Sequence, residues 1–116
     1  MTSTIQQGTA AEDLACRYLE AQGLTLLKRN YRCQVGELDL IMRDCAYLVF
    51  VEVRSRHDSR HGTPAETITR AKQRRLIKTA AYYLQRTRTD SPCRFDVVAV
   101  HETDNLEWLK DAFQAS

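Results

Sequence analysis

The amino-acid sequence predicts an α/β fold in which a mixed β-sheet of four to five strands is flanked by two main helices, in the order αβββαββ. Two segments repeat apolar residues every three or four positions, as the buried face of a helix requires. Other segments alternate apolar and polar residues, which is typical of half-buried strands. The second helical segment separates two predicted strands, so those strands are expected to pair in parallel through a crossover. The length of 116 residues suits one domain, residues 1–116, with a core of its own.

The first helix is predicted from about Thr4 to Gln22, and Gly23 is a typical C-terminal stop. An apolar stripe runs along this helix and comprises Ala11, Leu14, Ala15, Tyr18 and Leu19. Glu12 lies at the edge of that stripe, from which it could reach the sheet. It also fits a capping box that begins at Thr9, but only if the helix begins late.

The segment from Leu24 to Tyr31 is a short predicted strand, and residues 36–54 form a predicted β-hairpin. This hairpin reverses at Asp44, Cys45 and Ala46, which are polar or small. The apolar rows of its two strands are expected on one buried face and comprise Leu38, Leu40, Met42, Tyr47, Val49, Val51 and Val53.

The same alternation brings acidic side chains together on the other face of the hairpin. A two-residue or four-residue loop gives this register, and a four-residue loop sets Asp39 directly across from Glu52. Opposed carboxylates normally cost stability, so we expect a compensating charge. The residues alone leave two explanations open. Either ion pairs compensate, with Arg54 opposite Glu37 and Asp39 solvated, or a divalent cation lies between Asp39 and Glu52.

A turn-rich loop follows Arg54 and carries several cations together with His57 and His61. We expect it to face solvent, where it could clamp a phosphate. The second helix is predicted from Glu66 to about Arg88. Its buried stripe comprises Gln73, Leu76, Ile77, Ala80, Ala81 and Leu84.

Gln73 interrupts the apolar stripe of the second helix. A buried amide needs hydrogen-bond partners, so Gln73 is either satisfied in the core or directed at the carboxylates. Two strands are predicted after this helix, a longer one over residues 94–100 and a short edge strand over residues 106–109. Residues 111–116 are expected to form a last turn or to fray.

Charge is segregated along the chain. Residues 54–88 contain ten basic and two acidic residues, a balance of +8, whereas the remainder contains seven basic and thirteen acidic residues, a balance of −6. Such asymmetry indicates a polyanionic partner, for which nucleic acid is the expected class. A solvated helix face is the simpler alternative.

Several classes of protein are disfavoured by composition. No apolar stretch is long enough to span a membrane, and the N-terminus lacks the pattern of a secretory signal, so a cytoplasmic protein without a membrane partner is expected. The four cysteines show no spacing typical of a zinc site or of a disulfide framework.

The chain also carries motifs that are much more specific in combination than singly. They are Gly8 with Glu12, Gly36-Glu37-Leu38-Asp39-Leu40, Phe50-Val51-Glu52-Val53-Arg54, Gly62, Lys72-Gln73 and Arg94-Phe95-Asp96-Val97-Val98. This combination resembles the YraN family of small bacterial proteins. That family is similar in fold to the PD-(D/E)XK nucleases, especially archaeal Holliday junction resolvases and the tRNA-endonuclease-like domain. The resemblance implies a single endonuclease-like domain with a restriction-endonuclease-like core.

The resemblance also implies a set of site residues. The catalytic residues would be Glu12, Asp39, Glu52, Arg54 and Gln73, and the ligands of Mg²⁺ or Mn²⁺ would be Asp39, Glu52 and the Val53 carbonyl. Arg54 departs from the lysine of the nuclease motif. Because a guanidinium stays protonated and has no acceptor, Arg54 could orient phosphate but could not act as a general base.

The expected function is metal-dependent hydrolysis of nucleic-acid phosphodiester bonds, selective for branched or nicked structures. DNA is favoured over RNA as the partner, and two cuts in one branched substrate would require a homodimer. The cations expected to bind nucleic acid are Arg56, Arg60, Arg70, Lys72, Arg74, Arg75 and Lys78. One alternative is a non-catalytic nucleic-acid-binding module that retains the fold, and another is a structural domain whose charges form only an ion-pair network.

Overall fold

The computed structural model of the protein describes residues 4–56, 68–102 and 105–115, with side chains from residue 10 onward. The helices are α1 (Thr4–Ala21) and α2 (Arg70–Thr87). The strands are β1 (Thr25–Arg32), β2 (Glu37–Asp44), β3 (Tyr47–Arg56), β4 (Cys93–His101) and β5 (Leu106–Phe113). The predicted order αβββαββ is confirmed, and it is consistent with a restriction-endonuclease-like core.

All five strands form one mixed sheet in the order β1-β2-β3-β4-β5. The pairs β1–β2, β2–β3 and β4–β5 are antiparallel, whereas β3 and β4 pair in parallel. Since α2 lies between β3 and β4 in the chain, the predicted crossover is confirmed. Neither described helix is both long and apolar enough to cross a membrane.

The register of the β2–β3 hairpin follows the predicted alternation. Asp44 pairs with Tyr47, so the turn contains only two residues, and Cys45 adopts a positive φ of 55° within it. The pairing of β2 with β3 extends from this turn to Leu40 and Val51. Continuing that register by one residue sets Asp39 across from Glu52, so the two-residue turn produces the opposition that was expected of a four-residue loop.

The core forms one layer on each face of the sheet. Hydrophobic residues of α1 pack on side chains such as Leu40 and Val51, and those of α2 pack on side chains such as Ile41 and Phe50. Leu38 was predicted to share a row with Leu40, and this prediction is wrong, because Leu38 belongs to the α2 layer. Leu38 lies beyond the last β2–β3 pair, where β2 pairs with β1, and it packs in the α2 layer together with its partner Tyr31.

The helix ends differ in part from the prediction. Because α1 already begins at Thr4, the capping-box explanation for Glu12 fails. The C-terminal stop is confirmed, since Gly23 has a φ of 101°. The Thr69 side chain caps α2 by accepting a hydrogen bond from the Lys72 amide at 3.1 Å. Glu66, the predicted start of this helix, lies outside the described residues.

The buried face of α2 differs from the prediction at one residue. The predicted burial of Ala81 is wrong, because Ala81 is exposed.

Two strands are longer than predicted. Pairing of β3 with β4 continues to Arg56, whose partner is His101, so residues 55 and 56 belong to β3 instead of the loop. Strand β5 continues to Phe113, and the expectation of a turn or fraying over residues 111–113 is wrong. The physical reason is Asp96, whose buried carboxylate accepts a hydrogen bond from the Asp111 amide and holds that part of β5 against β4.

Candidate functional site

A cavity of about 400 Å³ lies between the β1–β2 connection, the start of β2, the middle of β3 and the first half of α2. It is lined by acidic residues of the sheet and by cations of the helix, among them Asp39, Glu52, Lys72 and Arg75. The hairpin register accounts for the two acids, because it places Asp39 and Glu52 on neighbouring strands. Opposite charges therefore meet across an open groove.

Asp39 and Glu52 are close enough for their carboxyl groups to share a hydrogen bond. The Asp39 Oδ2 atom also accepts a hydrogen bond from the Val53 amide at 2.9 Å. Burial raises the pKa of Asp39 to about 8, and the negative charge of Glu52 adds to this effect, whereas the Val53 amide opposes it. The alternative in which Asp39 is solvated therefore does not hold, because the side chain is largely buried.

Glu52 is buried, with a side-chain exposure of 8%, and two cations compensate its charge. The Lys72 Nζ atom lies 2.8 Å from Glu52 Oε2, and the Arg54 Nη1 atom lies 3.8 Å from the same oxygen. Glu37 lies near a different cation, since its Oε2 atom is 3.3 Å from the Nε atom of Arg32. Ion pairs thus compensate the charge of Glu52, whereas the raised pKa of Asp39 keeps that carboxyl protonated at neutral pH in the metal-free protein.

Glu12 lies on α1, half-buried, and its Oε1 atom is 3.5 Å from the Nη2 atom of Arg29 on β1. The same guanidinium binds Asp13 at 2.6 Å. The charge of Glu12 also contributes to the raised pKa of Asp39, although less than burial and Glu52 do. Glu12 is therefore near the carboxylate pair and fixed by β1, but it is not part of the cavity lining.

The width of the cavity depends on a close approach between the β1–β2 connection and α2. A β-carbon added at Gly36 would lie 2.7 Å from the Thr79 Oγ1 atom, which is too close for an ordinary contact. Thr79 is fully buried and donates its hydroxyl hydrogen bond to the Arg75 carbonyl at 2.8 Å. Only glycine lets the connection lie this near to the helix without displacing it.

Of the remaining predicted site residues that the structure describes, Arg75 lines the cavity and the others do not. The Gln73 side-chain amide donates to the Ile68 carbonyl at 3.2 Å, which satisfies it at the start of α2. Arg56 is buried, with an exposure of 8%, and is therefore not part of a solvent-facing loop. Arg60, His57 and His61 lie outside the described residues. Among the cations predicted to bind nucleic acid, the exposed ones on α2 are Arg70, Arg74, Arg75 and Lys78.

The contact of Lys72 with Glu52 was not predicted from the sequence, where Lys72 was grouped with the solvent-facing cations. Helical spacing carried the signal. Lys72 precedes the buried residue Leu76 by four positions and therefore lies on the same face of α2, one turn nearer the N-terminus. A cation at that place, beside strands that carry an acidic pair, is positioned to contact them.

The donor set fits a hard divalent cation. Mg²⁺ is typically bound by one or two carboxylates and several waters, and Asp39 and Glu52 supply such a pair. Within residues 4–56, 68–102 and 105–115, no three His, Cys, Asp or Glu side chains cluster closely enough to bind a metal together. The N–H and C=O groups of one strand residue point to the same side, so the Val53 carbonyl also faces β2 and Asp39.

Comparison with known proteins identifies the family. Residues 11–100 match the family described as "Uncharacterised protein family UPF0102". A UPF0102 protein of Nitrosococcus oceani is 53% identical over 113 residues, covering 93% of this chain and 91% of the relative. A UPF0102 protein of Nitrosomonas europaea is 48% identical over 118 residues and covers all of both chains. The chain therefore belongs to the UPF0102 family, which is the YraN family that its motifs resemble.

Proposed function

We propose that this protein is a Mg²⁺- or Mn²⁺-dependent nuclease that hydrolyses phosphodiester bonds of branched or nicked DNA. The observation that carries the proposal is the largely buried Asp39–Glu52 pair at the floor of a groove whose other wall is a basic helix. Two carboxylates in contact raise each other's energy unless a proton or a cation is shared between them. In a cleft bordered by cations, this arrangement is typical of a functional site.

Asp39, Glu52 and the Val53 carbonyl would hold the cation, and Glu12 would complete its shell through water. Bound there, Mg²⁺ or Mn²⁺ would supply a Lewis acid that activates water and offsets negative charge on the phosphate. Arg54 would bind a nonbridging oxygen of the phosphate. Gln73 is already bonded to the Ile68 carbonyl, so its role would be to fix the start of α2 and thereby the position of Lys72.

The exposed cations of α2 would hold the sugar-phosphate backbone beside this groove. Phosphate contacts position a protein on nucleic acid without reading its sequence, which suits selection of structure over sequence. The surface comprises Arg70, Arg74, Arg75 and Lys78. We further propose that the protein acts in the cytoplasm, and that it acts as a homodimer where one substrate is cut twice.

Arg54 favours a second candidate function. It is the residue at the lysine position of the nuclease motif, and it cannot accept a proton. A protein that kept the fold and the basic helix but lost turnover would bind branched DNA without cleaving it. The two candidates differ in the fate of the bound DNA.

A cleavage assay separates the two functions. Purified protein is incubated with branched, nicked and single-stranded DNA and with RNA, each with Mg²⁺, Mn²⁺ or EDTA. We expect metal-dependent cleavage of branched or nicked DNA that is abolished in Asp39→Asn and retained in Asp90→Asn, which alters an exposed carboxylate. Binding without cleavage under every metal condition would support the binding module. Cleavage that survives the double variant Asp39→Asn/Glu52→Gln would place the activity elsewhere.

Metal titration tests the site independently of turnover. Isothermal calorimetry with Mn²⁺ should give saturable binding to the wild type and to Asp90→Asn, and little or none to Asp39→Asn. If wild type and Asp39→Asn gave identical titrations, the carboxylate pair would be an ion-pair network only.

A further inference from the structure

An ion pair joins the first turn of α2 to β3 at the candidate site. Lys72 Nζ lies 2.8 Å from Glu52 Oε2, which is the shorter contact of the two cations at that carboxylate. The Lys72 side chain is 37% exposed, whereas that of Glu52 is 8% exposed. The ammonium group thus reaches from the open side of the groove to a buried oxygen.

This oxygen belongs to the carboxylate that the proposed function assigns to the metal. A divalent cation bound by Glu52 would compete with Lys72 for the same lone pairs and would repel its charge at close range. Arg54 is less affected, because it lies 3.8 Å from the oxygen and has a planar group that can turn to another acceptor. Lys72 and the metal are therefore expected to exclude each other at Glu52.

The position of Lys72 would also allow its ammonium group to contact a phosphate group of a bound substrate. Its backbone amide is held by the Thr69 cap, so the residue is fixed at the first turn of α2 while its four-carbon side chain remains able to turn. Arg75 lines the same groove one turn along the helix. A phosphate lying against this wall would be within the reach of a lysine released from Glu52.

We propose that Lys72 is a resident counterion of the site, which neutralises Glu52 in the metal-free protein and turns to the phosphate of the substrate once a divalent cation takes its place. This inference rests on the proposed function. It assigns Lys72 two positions, and each position makes a separate prediction about the Lys72→Met variant. Methionine keeps approximately the apolar stem of the lysine side chain and removes the charged group.

The first prediction concerns metal affinity. If Lys72 competes for Glu52, Lys72→Met should bind Mn²⁺ about fivefold more tightly than the wild type. The metal then no longer has to break a partly exposed ion pair, and the factor of about five corresponds to the strength of such a pair. Lys110→Met is the matched control, because Lys110 is exposed and contacts the Trp108 ring instead of the groove. Calorimetry measures all three proteins at one ionic strength. Affinity in Lys72→Met that is unchanged, lowered or shifted only as much as in Lys110→Met overturns the proposal.

The second prediction concerns contact with phosphate. Affinity for a branched DNA with phosphorothioate linkages, which resist hydrolysis, is measured over a range of salt concentrations in Mn²⁺ and in EDTA. In Mn²⁺ the slope of log affinity against log salt should be shallower by about 0.9 in Lys72→Met than in wild type. In EDTA the two slopes should agree, because Lys72 is paired with Glu52. An equal decrease of the slope in both conditions would mean that Lys72 always contacts phosphate, which contradicts the release.

The two proposals can fail separately. A wild-type protein that binds neither Mn²⁺ nor DNA removes the proposed function and this inference together. A wild-type protein that binds both, with Lys72→Met indistinguishable from it in metal affinity, removes only the resident counterion. Circular dichroism melting in EDTA establishes that Lys72→Met is folded, and Lys72→Gln provides a polar replacement if the methionine variant is not.

Discussion

Asp39 differs from an ordinary surface aspartate because folding places it beside another acid and away from water. Its pKa is raised to about 8, first by burial and then by the charge of Glu52. An unfolded aspartate has a pKa of about 3.9. Between these two values the folded protein retains a proton that the unfolded chain has lost, so the ionisation of Asp39 opposes folding as pH rises.

The pH dependence of stability follows from this difference. In EDTA, the free energy of unfolding should fall as pH rises from about 4 to about 8, by at most about 1.4 kcal/mol per pH unit from this group, and then level off. Asp39→Asn removes the titration, so its stability should fall less over that window and exceed that of the wild type at pH 8. Urea denaturation between pH 5 and pH 9 measures both proteins, and parallel profiles would contradict the assignment.

Among single residues, the acids of the site were predictable from the sequence and one cation was not. Strand alternation has a period of two, so it determined which side Asp39 and Glu52 share once the hairpin was recognised. Lys72 was misplaced because composition alone groups it with its basic neighbours. The distance between its Nζ atom and Glu52 depends on how α2 packs on the sheet, and no local pattern gives that distance.

One buried carboxylate on the parallel strand β4 holds β5 against it. Asp96 is fully buried and accepts four hydrogen bonds: two from the Arg94 guanidinium, one from Trp108 Nε1 and one from the Asp111 amide. Arg94 extends the network to Asp44 at the hairpin turn, at 3.1 Å. The β4–β5 register shifts between Phe95 and Val97, where this carboxylate lies.

Removing the negative charge of Asp96 should destabilise the folded protein. Asp96→Asn is expected to lower the free energy of unfolding by about 3 kcal/mol, because it leaves the Arg94 cation without its buried partner in a largely buried place. Asp90→Asn, on an exposed aspartate, should change it by less than about 0.5 kcal/mol. Urea denaturation compares the two variants. A cost for Asp96→Asn as small as that of Asp90→Asn would show that the network contributes little.

The contact between the β1–β2 connection and α2 can be tested by a double-mutant cycle. Gly36→Ala should destabilise the protein by about 1–3 kcal/mol, because its new methyl group meets Thr79 Oγ1 at 2.7 Å. Thr79→Ala removes that oxygen and leaves the Thr79 β-carbon 4.0 Å away, so Gly36→Ala should cost much less in the double variant. The cycle is measured by urea denaturation. Additive free energies would contradict the close approach.

Across the whole molecule, charge is distributed by layer. Residues 54–88, with a charge balance of +8, include α2. Helix α2 covers one face of the sheet, and α1 covers the other face. The fold thereby turns a segregation along the chain into a difference between two surfaces. Long-range attraction for a polyanion should act on the α2 surface, next to the groove.

Neutralising that surface should weaken the dependence of DNA binding on salt. Arg74→Gln/Lys78→Gln should make the slope of log affinity against log salt shallower by about 0.9 for each phosphate that is no longer bound. Arg17→Gln/Lys110→Gln removes the same charge elsewhere, from α1 and β5, and should leave the slope nearly unchanged. Fluorescence anisotropy with labelled branched DNA measures both. Equal slopes for the two variants would locate the binding surface away from α2.

The order of helices and strands was more predictable than the exact extent of the strands and the side-chain positions near their ends. Periodicity identified both helices and the hairpin, and the helix between β3 and β4 required the parallel pair. The extension of β5 was not predictable because it depends on a buried acceptor at Asp96. The displacement of Leu38 was not predictable because it arises beyond the last β2–β3 pair, where Leu38 packs with Tyr31 of β1 in the α2 layer. Such effects arise from contacts between elements instead of from patterns within one.

The pairing of Lys72 with Glu52 has a consequence for the life of the protein in a cell. Zinc fingers obtain their folding free energy from the metal and unfold when it is withdrawn. Here the chain contributes a positive charge of its own, so under the proposed function folding would not have to wait for the ion. Depletion of divalent ions would then leave an intact molecule in reserve, protected from proteases, in place of an unfolded chain that is degraded.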